Sequence, residues 1–139
     1  MHPISEILCE VYNSLLSKGE VVFPLGDEQK KKLDSVAKTV NAVYFGIARF
    51  PSIKMHAVAY LCFIIKDHPV TDGNKRLAVL WFQIFCNTFE LKPSLALSMD
   101  VLAVSIEATK EPHDVLLEAI LAATFPEEIK RSVTSKRMS

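Results

Sequence analysis

Two apolar runs, eleven residues apart, constrain this chain more than any other feature. Ala57 to Ile65 reads AVAYLCFII, and Leu77 to Phe85 reads LAVLWFQIF with Gln83 as its one polar residue. In a helix, Met55, Val58, Ala59, Cys62 and Ile65 share one face, and Tyr60, Leu61, Phe63 and Ile64 make most of the other faces apolar too. A helix without a polar face is buried on all sides. Neither run approaches the roughly 20 apolar residues of a bilayer-spanning helix. Both are therefore expected at the centre of a soluble, cytoplasmic helical bundle that does not enter a membrane.

The flanking sequence surrounds them with further helices. Ile4, Ile7, Leu8, Val11, Leu15 and Leu16 form an amphipathic stripe that Ser17-Lys18-Gly19 ends. Asp27 is expected to cap a second helix through Leu33, Val36, Ala37 and Val40 to Tyr44, with Lys30 to Lys32 on its outer face. In Phe45 to Ser52, FGIARFPS, Gly46 and Pro51 break the helical spacing, which predicts a short extended segment or hairpin; Ser52 then caps the first buried helix. Lys92-Pro93-Ser94 and Glu111-Pro112-His113 delimit two more helices, Ser98 to Ala108 and Asp114 to Thr124. The expectation is a single all-α domain over residues 1–139, its core at about 27–125, with one short β-hairpin or extended flap and a flexible basic tail at 130–139. A chain of 139 residues suits one such core and not two.

Sixteen basic residues balance sixteen acidic ones, so no global field draws the chain to nucleic acid or a membrane surface. Any affinity for anions is local. Cys9, Cys62 and Cys86 are widely spaced and suit reduced core thiols, since a zinc site needs closely spaced ligands. MHPISEILCEVY lacks the cationic and apolar regions of a signal peptide.

The local charge lies between the two apolar runs, in DHPVTDGNKR, Asp67 to Arg76. Part of this is turn chemistry: Pro69 and Asp72-Gly73 favour a turn, and Asp or Asn before an apolar run commonly caps a helix. That does not account for Lys75 and Arg76 in a first helical turn, where the dipole favours negative charge. They fit if an anion sits there, because free amides, dipole and cations then add. Gly73 would let a phosphate approach the backbone, Lys75 would be a point charge, and Arg76 a two-pronged phosphate contact. Asp72 offers a hard oxygen to magnesium, and His68 a base for an attacking hydroxyl. An anion cradle, a metal ligand and a base are the parts of phosphoryl-type transfer. Neither GxxxxGK[ST] nor GxGxxG occurs.

Other candidates are weaker. His2, His56 and His113 have no acid or cation at useful spacing and read as structural; Trp81 and Phe85 read as core rather than an adenine platform. Arg49, in the flap, is a candidate for holding substrate.

HPVTDGNKR resembles the Fic/Doc signature, roughly HPFx[D/E]GN[G/K]R, at eight of nine positions. The layout from about Ala42 to Leu121 is similar too, with a flap, two buried helices around the motif and a following helical pair. The resemblance implies a Fic-like bundle that transfers a phosphate or AMP from ATP or another nucleotide, with Mg2+, to a Ser, Thr or Tyr hydroxyl of a target protein. It implies His68 as general base, Asp72 as magnesium ligand, Gly73 and Asn74 around the nucleotide phosphates, and Lys75 and Arg76 on the phosphates. Flap residues Ala48 to Ser52 would pair with the target by strand addition. A bacterial toxin or regulator is the implied role, with a partner antitoxin as restraint because no [S/T]xxxE[G/N] inhibitory helix occurs.

Three departures from the family pattern carry information. Val70 replaces an anchoring Phe, which admits a second reading as a weakened Fic-fold binding module. Lys75 matches the death-on-curing branch, whose members act as kinases, and Val79 replaces the second Arg of the AMP-transferring branch. Both favour phosphate transfer, although Gly73 is often Ala in that branch. A nucleic-acid-binding reading would rest on Lys30 to Lys32 and the tail, and zero net charge disfavours it.

Overall fold

The structure, a computed structural model, describes residues 1–94 and 97–128; the basic tail at 130–139 lies outside the described residues. Helix α1 (Pro3–Ser17) starts where the His2 ring Nδ1 accepts the Ile4 N–H at 3.1 Å, and it buries Leu8, Tyr12 and Leu15. It ends at Gly19, whose φ of 74° lets Glu20 N–H reach Leu15 C=O at 2.9 Å while Gly19 N–H reaches Leu16 C=O at 3.1 Å. This glycine-terminated end turns the chain back, and Val21 enters the core.

Helix α2 (Asp27–Val40) departs from the sequence expectation at both ends. Gly26 rather than Asp27 holds the capping position, with Gln29 Oε1 accepting its N–H at 3.0 Å. The helix stops four residues short of Tyr44 because Asn41 Nδ2 donates to Ala37 C=O at 2.8 Å and to the Tyr60 hydroxyl at 2.9 Å, fixing the chain to a later helix. Val43 and Tyr44 then extend as β1 (Val43–Tyr44), antiparallel to β2 (Ile47–Ala48). Phe45 and Gly46 turn between them at φ 53° and 77°, the two positive φ values of a tight hairpin turn. The hairpin therefore begins two residues before the expected 45–52 segment.

Ser52 caps α3 (Ile53–Asp67) as expected, its Oγ accepting the Met55 N–H at 3.1 Å. Every residue from Ala57 to Ile65 is buried. Helix α3 is central: it packs on α2, α4 (Asn74–Thr88), α5 (Met99–Ala108) and α6 (His113–Thr124). Tyr60 meets Trp81 edge-on at 5.5 Å and Phe85 at 5.6 Å, so both aromatics of α4 are core. Helix α4 is less enclosed than its sequence suggests, since Val79 and Leu80 are only half-buried. Leu8, Tyr12 and Leu15 join the same buried cluster, which thus begins upstream of residue 27. The outcome is the expected all-α class with one two-stranded hairpin among the described residues. No described helix is long and apolar enough to cross a membrane.

Candidate active site

Helix α3 ends because His68 turns left-handed, at φ 49° and ψ 57°. For a residue with a Cβ that conformation costs about 1–2 kcal/mol, so its surroundings have to fix it. Pro69 and Val70 are buried beyond it, and Asn74 clasps the loop. Val70 N–H donates to Asn74 Oδ1 at 3.0 Å, and Asn74 Nδ2 donates to Val70 C=O at 2.9 Å. The small Val70 side chain is therefore anchored through its backbone as well as by burial.

Gly73 reverses the chain again at φ 81° and precedes α4. A Cβ at this position would land on Val21 Cγ1. The positive φ and the close approach of Val21 are by themselves enough to require glycine here, apart from any room a phosphate would need. Neither Asp72 nor Asn74 caps α4 with its side chain. The first backbone bond of the helix runs from Leu77 N–H to Gly73 C=O at 2.9 Å, which leaves the N–H groups of Asn74, Lys75 and Arg76 at its open end.

One cavity of about 340 Å³ takes in all six residues singled out in the sequence, His68, Asp72, Gly73, Asn74, Lys75 and Arg76. Glu20, Thr71 and Glu107 also line it, and no sequence spacing marks the two glutamates beforehand. Both cations have partners. Arg76 Nη1 donates to Glu20 C=O, and Lys75 Nζ donates to both Glu107 carboxylate oxygens at 2.9 and 3.0 Å. The bond from Lys75 holds the Glu107 carboxyl below its usual range, with His68 and Lys66 adding to the effect. A carboxylate thus already rests on Lys75, and the donor set fits an anion.

Beside these anion donors, the oxygen ligand that suits magnesium is the Asp72 carboxylate. Asp72 presents an exposed carboxylate to the cavity, and among the described residues no group of three His, Cys, Asp or Glu could hold a metal unaided. Magnesium commonly takes one or two carboxylates and completes its shell with phosphates and water. On the far side of Lys75 and Arg76 lies a larger cleft of about 590 Å³, walled by Val79, Leu80, Ala103 and Val104 with Gln83 and Asp100 among them.

A model of the Fic/DOC family matches residues 4–86, more than half of the chain. The chain belongs to the Fic/DOC family. No curated protein and no solved structure matches it. The matched segment of this Fic/DOC chain contains the hairpin and the whole motif, whereas α5 and α6, with Glu107 and His113, lie beyond it.

The remaining sequence candidates fall elsewhere. Arg49 leans on the rings of Phe50 and Phe63 at 5.1 and 5.5 Å and faces Asp114 at 4.0 Å, away from the cavity wall. His113, for which spacing offers no companion, has one across the fold: its Nε2 bonds Asp67 Oδ1 at 2.8 Å. His56 is structural as expected, with Nε2 on Phe50 C=O at 2.7 Å. Burial pushes the thiols of Cys62 and Cys86 up to about 12 and about 11, as suits unreactive core cysteines.

Proposed function

We propose that this Fic/DOC chain transfers a phosphate or AMP from ATP to a Ser, Thr or Tyr hydroxyl of a target protein, phosphate being the group its cleft favours. The observation that carries this is the single cavity joining His68 and Asp72 to the open amide end of α4, Lys75 and Arg76. His68 would take the proton of the target hydroxyl as that oxygen attacks the terminal phosphorus; the bond from phosphorus to the ADP oxygen breaks, and ADP leaves. Asp72 would hold magnesium, which when bound neutralises charge on the phosphates. The amides of Asn74 to Arg76 would meet the phosphate oxygens, and Lys75 would exchange Glu107 for them. Arg76 has N–H donors beyond the one given to Glu20.

The larger cleft supports phosphate over AMP. Among the described residues no cation lines it except Lys75 and Arg76, which stand at its border with the cavity, and its walls are mainly apolar. Such walls suit a base and sugar rather than a polyphosphate. A nucleotide lying this way presents its terminal phosphate to His68, whereas the reverse orientation would present the α-phosphorus and release pyrophosphate. The hairpin exposes Val43, Tyr44, Phe45 and Ile47, a surface suited to pairing with a target strand. Restraint by a partner antitoxin in the cytoplasm completes the proposal.

Incubation of the protein and lysate with ATP labelled at either the γ or the α position tests it. Transfer of γ label that His68→Ala abolishes is the expected result. Transfer of α label alone would mean AMP addition, and no transfer of either would refute the enzyme and leave a Fic-fold binding module.

A further inference from the structure

The corner between α5 and α6, beyond the segment that the family model matches, is fastened to the end of α3 from which His68 hangs. Lys66 Nζ donates to Thr109 C=O at 2.6 Å. His113 Nε2 donates to Asp67 Oδ1 at 2.8 Å, and Asp67 is the residue directly before His68. Phe63, one turn earlier on the same face of α3, stacks on the His113 ring with centroids 5.0 Å apart and planes 28° from parallel. The stack sets the plane in which the imidazole meets the carboxylate. Asp114, the next residue, faces Arg49 just after the hairpin at 4.0 Å, and Glu107 at the other end of the corner holds Lys75.

His68 is thus strung between two clasps. Downstream, Asn74 closes on Val70 within the motif itself. Upstream, the tie comes from a corner some forty residues later in the chain, His113 being 46 residues from Asp67. A left-handed histidine persists only where its neighbours over-determine it, and fixing the chain on one side alone leaves the direction of the ring free to vary.

We propose that His113 is a positioning residue for His68: acting through Asp67, it fixes the last turn of α3 and with it the direction in which the His68 imidazole enters the cavity. This deepens the proposed function and rests on the reading of His68 as the base. It gives the part of the chain after residue 86 a role in the site. Because the His113 and Asp67 side chains are 36% and 46% exposed, breaking their bond leaves the fold intact.

His113→Leu keeps bulk against Phe63 and removes the donor, while His113→Gln restores a donor at similar reach. In the full chain with γ-labelled ATP, His113→Leu is expected to lower kcat about tenfold with the KM for ATP unchanged, and His113→Gln to recover most of the loss. Imidazole NMR of 15N-histidine protein, with the His68 signals assigned by their loss in His68→Ala, reads the same contact without turnover. The His68 signals should move in His113→Leu and in Asp67→Ala, and return in His113→Gln. If the wild-type protein transfers nothing while the His68 signals respond in this way, the proposed activity fails and the positioning stands. If the His68 signals and kcat of His113→Leu match the wild type, or if Leu and Gln behave alike, the positioning role is overturned and the pair is a structural tie.

Discussion

Replacing Gly73 by alanine adds one methyl group to a residue at φ 81°, aimed at Val21 Cγ1. Two costs follow. Holding a Cβ in the left-handed region costs about 1–2 kcal/mol. The contact itself cannot relax easily, because Val21 is 2% exposed and a β-branched side chain is stiff at χ1; overpacking of this kind costs about 1–3 kcal/mol. The sum is about 2–5 kcal/mol, which for a domain of this size lowers Tm by roughly 6–20 °C. Urea unfolding followed by circular dichroism should show a lower midpoint at unchanged slope. Val21→Ala alone loses buried methyl groups and costs about 2 kcal/mol. In the double variant the clash is gone and only the backbone cost of an alanine in the left-handed region remains. The double variant should therefore be more stable than the sum of the single losses predicts, by about 1–3 kcal/mol. Additive losses would refute the steric account. So would a Gly73→Ala protein of wild-type stability that binds ATP poorly, since that outcome would mean the glycine clears space for phosphate.

Glu107→Gln keeps the shape of the side chain that Lys75 holds and removes its charge, so ATP no longer competes with a carboxylate. Its Kd by calorimetry should fall severalfold, and an unchanged or weaker affinity would mean the pair does not stand in the nucleotide's path. Asp34 is bonded by Lys38, the His2 N–H and Ser5, which hold its carboxyl well below the usual range. A folded pKa depressed in this way stabilises the fold above the unfolded value of about 3.9, and that stability is lost as pH falls through it toward the folded value. Asp34→Asn should then lower Tm at neutral pH and flatten its decline below about pH 4; equally steep acid limbs in both proteins would count against the assignment.

Length was enough for α3 and α4, whose apolar runs Ala57 to Ile65 and Leu77 to Phe85 outlast a typical strand, and Ser52 and Ser98 announce α3 and α5 with side-chain caps. Periodicity was not enough at Val43 and Tyr44, which continue the stripe of α2 and equally suit a strand. What decides there is the bond from Asn41 to Tyr60, nineteen residues later, and no local window contains it. The site divides in the same way. Its six motif residues lie within one short stretch, His68 to Arg76, so one turn brings them to one cavity and their chemistry could be read together. Glu20, Glu107 and His113 arrive from other elements, and only the packing of α1, α5 and α6 on the central pair reveals them.

The puzzle of two cations in the first turn of α4 is answered by the partners they have. Arg76 rests on a backbone carbonyl and Lys75 on a half-exposed carboxylate, and ion pairs this exposed add little stability. Such partners do hold both side chains in place. A phosphate that displaces Glu107 would therefore gain charge-assisted bonds without first immobilising Lys75, and side-chain ordering is one of the larger costs of binding. The rest of the loop keeps that arrangement aimed. Gly73 admits Val21, and Asn74 closes on Val70. Their side-chain positions are committed to the fold, so at both residues only the backbone is left for an anion. The motif thus combines residues that build the loop, Pro69, Val70, Gly73 and Asn74, with the residues proposed to carry the chemistry, His68, Asp72, Lys75 and Arg76, which line the cavity. Substitutions in the first group should appear chiefly as lost stability, and those in the second as lost nucleotide binding or transfer at nearly constant stability.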